Sequence, residues 1–558
     1  MCKGWRFYVD SKTSVWVYRE EQITIEKLFR AAYDGKQEIY ELFMRKVEDK
    51  NPANEDGDTP LHIAAEGGHY QVCRLIIENV DDKNPANKKG KTPFHWAAQK
   101  GHLEVCRLIM ENVDDKHPLD KLEFSPLHNA AGKGQVDVCR LILENSENKN
   151  PRGKRGFTAL HLAADQGQLG VCCLMLNHLE DKNPSDDTGY TPLHMAAANG
   201  DRNICRLFLK KLEDKNPASS DGVTVLHLVA GSKLHDMCRL ILKNVEEKNP
   251  KDENDVTPLH NAAENGDLEM CDILIDNIEE KNPADRLGNT ALHRAAKKGH
   301  IEVFTHIFKL TKDKNPENND GITPLHIAAF LSNVPLCQLI LENVGDKNPS
   351  NPDGHTPLSI AAQTGNAELY NLIMRHLVDK NPATKDGITP LHRAANNGHL
   401  NVCRIILENV EEKNPSNKSH CTPLHSAANS GHLEICRLIM KHLDDKNPVD
   451  LSGWTPYHNA ALGGHLEVCR LIIENLDDRS KQPTTKDGNT PLHAASQHGH
   501  LDVCRLILRH VSEKFPQNNQ GVTPCKMAEA SGHRNIVNLF SRALPVNSRK
   551  KKKNNCRK

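Results

Sequence analysis

Gly57-Asp-Thr-Pro-Leu-His-Ile-Ala-Ala-Glu-Gly-Gly-His69 is the stretch that decides the fold, because the chain repeats it. Thr59-Pro60-Leu61-His62 returns as Thr92-Pro93-Phe94-His95, Ser125-Pro126-Leu127-His128 and Thr158-Ala159-Leu160-His161, and keeps a spacing of 33 residues as far as Thr455-Pro456-Tyr457-His458. Thr490-Pro491-Leu492-His493 follows after 35 residues and Thr523-Pro524-Cys525-Lys526 after 33 again. A fixed period of this length marks stacked supersecondary units, none of which buries its apolar face alone. The 558 residues therefore do not divide into several closed domains, since a stack is not limited by the size of one core.

One copy shows the internal logic. Thr59 is placed as a helix N-cap, its hydroxyl accepting from a free backbone N–H of the first turn. Pro60 suits the first helical position, where its missing N–H costs nothing. Leu61, Ala64 and Ala65 make the apolar side of a short first helix, and the alanine pair lets neighbouring backbones approach. Gly68 ends that helix in a left-handed conformation. A second helix starts near Tyr70, with Val72, Cys73, Ile76, Ile77 and Val80 on one stripe. Asn84-Pro85 forces the chain out of helix, because the residue before proline disfavours the α region. Polar residues with Gly57 near the tip then read as a hairpin-like turn.

The pattern resembles the ankyrin repeat: a glycine, Thr-Pro-Leu-His-x-Ala-Ala, a second glycine and another helix, repeated over residues 24 to about 542. The resemblance implies an all-α solenoid of stacked helix-turn-helix units with β-turn or hairpin tips. It would occupy residues 24–544, as one degenerate unit followed by fifteen full ones. Two departures are systematic. The family usually ends its second helix with glycine, where this chain has Val80, Val113, Leu179, Leu212, Val245 and Ile278. The stripe thus continues, and predicts a second helix running to about residue 81 or 82 of the unit. Lys83-Asn84-Pro85 also replaces the apolar residue that the family prefers before this asparagine, which weakens any carry-over of the family's asparagine-hydroxylation motif. Local irregularities mark candidate sites of opening: Lys233 and Ser332 in the slot of Gly68, Glu123, Asp255 and His420 in the slot of Gly57, Pro335, and the insertion within 478–487.

Basic and acidic residues nearly balance, 72 against 73, but residues 546–558 carry seven of the basic ones and no acid. The rest of the chain is then 65 basic against 73 acidic, a net of −8. No nucleic-acid partner is implied except through that tail. Seventeen cysteines suggest disulfides until they are placed, for twelve fill one slot of the repeat, from Cys73 and Cys106 to Cys469 and Cys504. Equivalent points on packed helices stand about 8–10 Å apart, beyond the roughly 7 Å limit for a disulfide. Small buried hydrophobes are the expectation, and so many thiols favour a reducing compartment. No apolar run of about 18 residues occurs, and Met1 to Trp5 lacks the core of a signal peptide. The expected location is cytoplasmic, with the nucleus as the alternative.

The two ends differ from the repeats. Trp5-Arg-Phe-Tyr-Val9 and Ser14-Val-Trp-Val-Tyr18, within residues 1–23, read as a small hairpin over the end of the stack. Docking a partner, or being the remnant of a neighbouring domain, stays open for this segment. Residues 545–558 form a basic tail expected to be disordered. Its run Arg549, Lys550, Lys551, Lys552 and Lys553 also fits a nuclear-import signal, or attraction to anionic lipid or RNA.

Thirty-one histidines invite a metal or catalytic reading. Thirteen belong to the repeated motif, and His69, His102, His300, His399 and His432 precede second helices. Structural zinc draws ligands at shorter, paired spacings than these. The resemblance implies that the motif histidine hydrogen-bonds across the turn instead. No phosphate-cradling or nucleophile-elbow motif sits in a strand–turn–helix setting. An enzyme, a metal, a cofactor and a small-molecule substrate are therefore not expected.

Binding remains, since stacked repeats present long surfaces. In ankyrin proteins the partner usually meets the turn tips and the exposed side of the first helix. The tip position reads Phe124, Phe157, Tyr190, Val223 and Val256 in five consecutive units, and Trp96, Leu162, Met195 and Leu228 on first helices extend this stripe. Aromatic anchors of this kind are frequent interface hot spots. The expectation is a monomeric scaffold or adaptor for intracellular proteins. A tether between membrane or cytoskeletal proteins and a nuclear regulator of a transcription factor are the alternatives.

Overall fold

A computed structural model of the chain describes residues 25–477 and 480–543. The hairpin expected over residues 1–23 and the tail with Arg549 to Lys553 lie outside these, as do residues 478 and 479 of the insertion. Regular structure among the described residues is helical, with isolated antiparallel bridges at Arg152–Thr158 and Ala218–Thr224. The chain forms two compact units, one ending at Arg286 and the other beginning at Leu287, and each repeats the same helix pair.

The pair at Pro60–Gly67 and Tyr70–Ile77 stands for the rest. Thr59 holds the extended N-cap conformation, Pro60 opens the helix, and Gly68 closes it at φ 74°. A side chain on Gly68 would be strained by that φ and would displace His102 of the next unit, since a Cβ there would lie 2.5 Å from its Nδ1. Lys233 and Ser332 in this slot, and Glu123, Asp255 and His420 at the tips, still take positive φ of 51–61°. Such a conformation costs an L-residue about 1–2 kcal/mol. Pro335 is harmless by contrast, because it sits in the first turn of Val334–Asn343, where Asn333 caps the Leu336 N–H.

First helices pack on first helices and second on second. Leu61, Ala64 and Ala65 are fully buried against Val72, Cys73 and Ile76. All twelve cysteines of the shared slot are buried and free of disulfides. Burial pushes their thiols up, that of Cys139 to about 12, so they behave as small apolar groups.

The second helix does not run to residue 81 or 82. It is Tyr70–Ile77 in this unit, and longer versions such as Leu103–Asn112 stop at the slot of Asn79. The apolar slot that suggested further helix is extended backbone, with Val113 at φ −123° and ψ 146°. Its side chain still turns inward, and Leu179, Val245 and Ile278 are buried. One bond holds the turn beyond the helix, and in some repeats a second caps the helix as well. Asp82 accepts the Asn84 N–H at 3.1 Å, a side chain–backbone bond that competes with helix. Lys281 then reaches back, its Nζ donating at 2.5 Å to the Ile275 and Ile278 carbonyls at the end of its own second helix. The asparagine serves the following unit, since Asn84 Oδ1 accepts the Phe94 N–H (3.1 Å) and Asn51 Oδ1 the Leu61 N–H (3.0 Å). Where the lysine reaches back, as at Lys248, Lys281 and Lys413, Lys-Asn-Pro is thus a double cap; elsewhere, as at Asn51 and Asn84, the asparagine alone serves.

The tips are β-turns closed by a short polar side chain. Asn87 Oδ1 accepts from Lys89 and Lys91, and Gly90 donates to the Asn87 carbonyl. Successive tips are joined by backbone rungs, such as Lys121 N–H to Lys89 O at 2.9 Å. One stretch of the second unit lacks several of these ties. Pro352 occupies a rung position without an N–H, and among the described residues the next rung, from Lys385 to Asp353, is also missing. Ser359 replaces the motif histidine there, and its hydroxyl bonds only locally, to Thr356. An open cleft of about 570 Å³ lies alongside, lined by Val378, Lys380, Asn409 and Glu411 among others. Ser359→His should restore a tie to the Ile388 carbonyl and stabilise the second unit by about 1 kcal/mol in urea unfolding. Slower amide exchange over residues 356–388 would accompany it, and unchanged exchange would refute the assigned weakness.

Candidate functional site

The surface along the tips is built by the motif histidine. The Thr59 N–H donates to His62 Nδ1 at 3.0 Å, so this nitrogen is an acceptor and the proton sits on Nε2. Nε2–H then donates to the Lys91 carbonyl, 29 residues on, at 3.0 Å. Later copies bond to the candidate binding residues themselves. His95 reaches the Phe124 carbonyl (2.9 Å), His128 that of Phe157 (3.1 Å), His161 that of Tyr190 (3.0 Å), His194 that of Val223 (3.2 Å) and His227 that of Val256 (2.9 Å). The backbone of each tip residue is therefore held by the preceding unit.

Its side chain is held by its own unit. The rings of Phe124, Phe157 and Tyr190 lie 5.2, 5.2 and 5.1 Å from the imidazoles of His128, His161 and His194, tilted in each case. All five tip residues are half-buried, as are Trp96, Leu162, Met195 and Leu228 on the first helices. The ammonium of Lys91 stands 5.0 Å over the Trp96 ring. All these residues lie in the first compact unit, with the tips in five successive repeats. Two exposed residues that the reading of the tip position passes over join them: Leu119 and Leu122, about half exposed at 51% and 52%. Their signal in the sequence is leucine where the preceding tip has Ala86 and Lys89.

A second row of histidines points the other way. His102 Nε2 donates to the Glu66 carbonyl at 2.9 Å, and His399, His432 and His465 do the same to the first helix of the unit before. The motif imidazoles just described have both nitrogens engaged, which leaves neither free to bind a metal. Among the described residues no group of three or more His, Cys, Asp or Glu could hold one. Nor is any helix among them long and apolar enough to cross a membrane.

The family model for ankyrin repeats (three copies) matches the chain in ten overlapping windows, which begin at residue 28 and end at residue 550. The chain is an ankyrin-repeat protein. A comparison with curated proteins found no match. Ankyrin repeats are protein–protein interaction modules, and the family is generally non-enzymatic. In this ankyrin-repeat protein the repeated polar groups are consumed by stacking, and the side chains that vary stand beside them at the tips.

Burial holds the imidazoles of His95, His128, His194, His392 and His458 down at about 4, despite the carbonyls they face. It depresses His62, His161, His227, His326 and His425 in the same direction. With the folded value below the unfolded one, about 6.5, the unfolded chain takes up protons first as pH falls. Stability is then complete above about pH 6.5 and is lost progressively as pH falls through 4. For each imidazole near 4 the loss at pH 5 is on the order of 2 kcal/mol. Thermal unfolding followed between pH 7 and 4.5 should show a steep fall in midpoint, and a flat profile would exclude neutral bridging imidazoles.

Proposed function

We propose that this ankyrin-repeat protein is a non-enzymatic scaffold that holds intracellular proteins along its turn tips and first helices. The observation that supports it most is the run of five apolar tips, Phe124, Phe157, Tyr190, Val223 and Val256. Each is fixed at its backbone by one imidazole, and the three aromatic ones also pack against a second. Side chains ordered before binding lose little entropy on contact, which favours affinity. Trp96, Leu162 and Met195 widen the surface on the helix side. The place of action is the cytoplasm, and the partner is a protein rather than a small molecule.

Phe157→Asp together with Tyr190→Asp should remove the main partner from a co-purification while leaving the helical signal and unfolding midpoint nearly unchanged. Asp58 fills this slot in another repeat, where Asn87 Nδ2 donates to it at 2.7 Å, but the residue so placed opposite 157 is Asp186. Phe157→Asn/Tyr190→Asn, with the residue found at Asn289, is the control that puts no second carboxylate beside it. Retention of that partner at the wild-type level would refute the site. Partners are best collected by proximity labelling in the native cell, where weak complexes survive.

A nuclear regulator is the second reading, favoured by the run Arg549 to Lys553. Deletion of residues 546–558 should then shift the protein from nucleus to cytoplasm in fluorescence images. An unchanged distribution would remove the import role.

A further inference from the structure

The charge of the tips is not uniform along the first compact unit. Three successive tips, residues 86–91, 119–124 and 152–157, carry seven basic residues (Lys88, Lys89, Lys91, Lys121, Arg152, Lys154 and Arg155) and two acidic ones. Of those acids, Asp120 is buried and accepts the Leu122 and Phe124 N–H groups within its own turn, at 2.8 and 3.0 Å. Arg152 is paired with Asp187 at 3.1 Å. Among the described residues, none of Lys88, Lys89, Lys91, Lys121, Lys154 and Arg155 makes an ion pair. The flanking tips are acidic, with Glu55, Asp56 and Asp58 before them and Asp186 and Asp187 after. A basic field thus stands on a chain whose net charge outside the tail is −8, where the aromatic tips begin.

We infer that these three tips bind an acidic linear peptide with interspersed aromatic or aliphatic residues. The inference rests on the apolar tips being the docking surface and adds the chemistry of the partner. Rungs from Lys121 to the Lys89 carbonyl (2.9 Å) and from Lys154 to that of Leu122 (3.3 Å) fix the tips as one platform. Repeats about 10 Å apart match one three-residue turn of a polyproline-II peptide, which returns every third side chain to the same face. Carboxylates at that spacing would meet Lys88, Lys121 and Lys154 in turn, while side chains between them cover Leu119, Leu122, Phe124 and Phe157. Unpaired exposed charges give modest energy singly but steer and select partners together.

Single-stranded nucleic acid fits less well. It needs open aromatic faces for its bases. Here the rings of Phe124 and Phe157 pack against His128 and His161, and Lys91 lies over Trp96.

The test uses the full chain with three probes: a random glutamate–tyrosine copolymer, polyglutamate and polyuridylate. The first variant is Lys88→Glu/Lys121→Glu/Lys154→Glu, all at exposed positions without ion pairs, and the second is Phe157→Asp/Tyr190→Asp. The basic tail is common to all three proteins, so differences between them belong to the tips. Wild type should bind the copolymer more tightly than polyglutamate. The triple variant should lose at least about tenfold in copolymer affinity, and the loss should shrink as salt is raised. The second variant should abolish the preference for copolymer over polyglutamate. Copolymer binding that survives the charge reversals but falls with Phe157→Asp/Tyr190→Asp would overturn the charge inference and leave the apolar stripe standing. Survival in both variants would overturn both readings. Polyuridylate binding that falls in the triple variant, with copolymer binding unchanged, would assign the basic tips to nucleic acid instead.

Discussion

A neutral imidazole between two repeats is the constraint on which the rest depends. His62 accepts from Thr59 on one nitrogen and donates to Lys91 of the following unit on the other. Only the uncharged ring with its proton on Nε2 can do both. The bond spans from the start of one first helix to the tip of the next repeat, so it sets where each tip stands. Burial keeps the ring neutral, and the ring in turn satisfies a tip carbonyl that packing takes away from water. Tip shape, aromatic placement and pH sensitivity follow from this one arrangement. A second row, from His102 to Glu66 and onward, ties the far ends of the first helices in the opposite direction.

The division of labour between repeated and varying residues follows. Threonine, proline, leucine, histidine and the alanine pair recur because every one is occupied in capping or stacking. What stands beside them is free to change, and in the first compact unit it changes in a concerted way: apolar rings from Phe124 onward, and lysines from Lys88 to Lys154. Hydrophobic anchors and a local field of one sign are different physical quantities. Their overlap on residues 119–157 is what gives that region a chemical identity the other tips lack.

Much of the fold was legible because each signal had a local cause. Thr59-Pro60 and Gly68 place the ends of the first helix, and the period of 33 residues places the stack. The second-helix terminus was misread because an apolar residue at position 80 fits a helical stripe and also fits an extended chain turned inward. What marks the extended chain is a side chain just beyond the slot, Asp82 accepting the Asn84 N–H, a bond that periodicity does not register. The candidate surface was legible at the tip position, where spacing alone aligns Phe157 with Tyr190. Leu119 and Leu122 escaped that alignment because they sit elsewhere in the turn. The weak stretch in the second unit was also hidden, since Pro352 and Ser359 matter only through partners in neighbouring repeats.

The forward direction of the imidazole bond has a consequence for synthesis. His62 finds its acceptor 29 residues later in the chain, and each following copy waits in the same way. A repeat leaving the ribosome therefore carries an unfinished polar bond until the next tip emerges. At about 5–20 residues per second this delay is roughly 1.5 to 6 seconds per repeat. The nascent stack grows with one immature repeat at its leading edge, and that edge is where a chaperone would have something to hold.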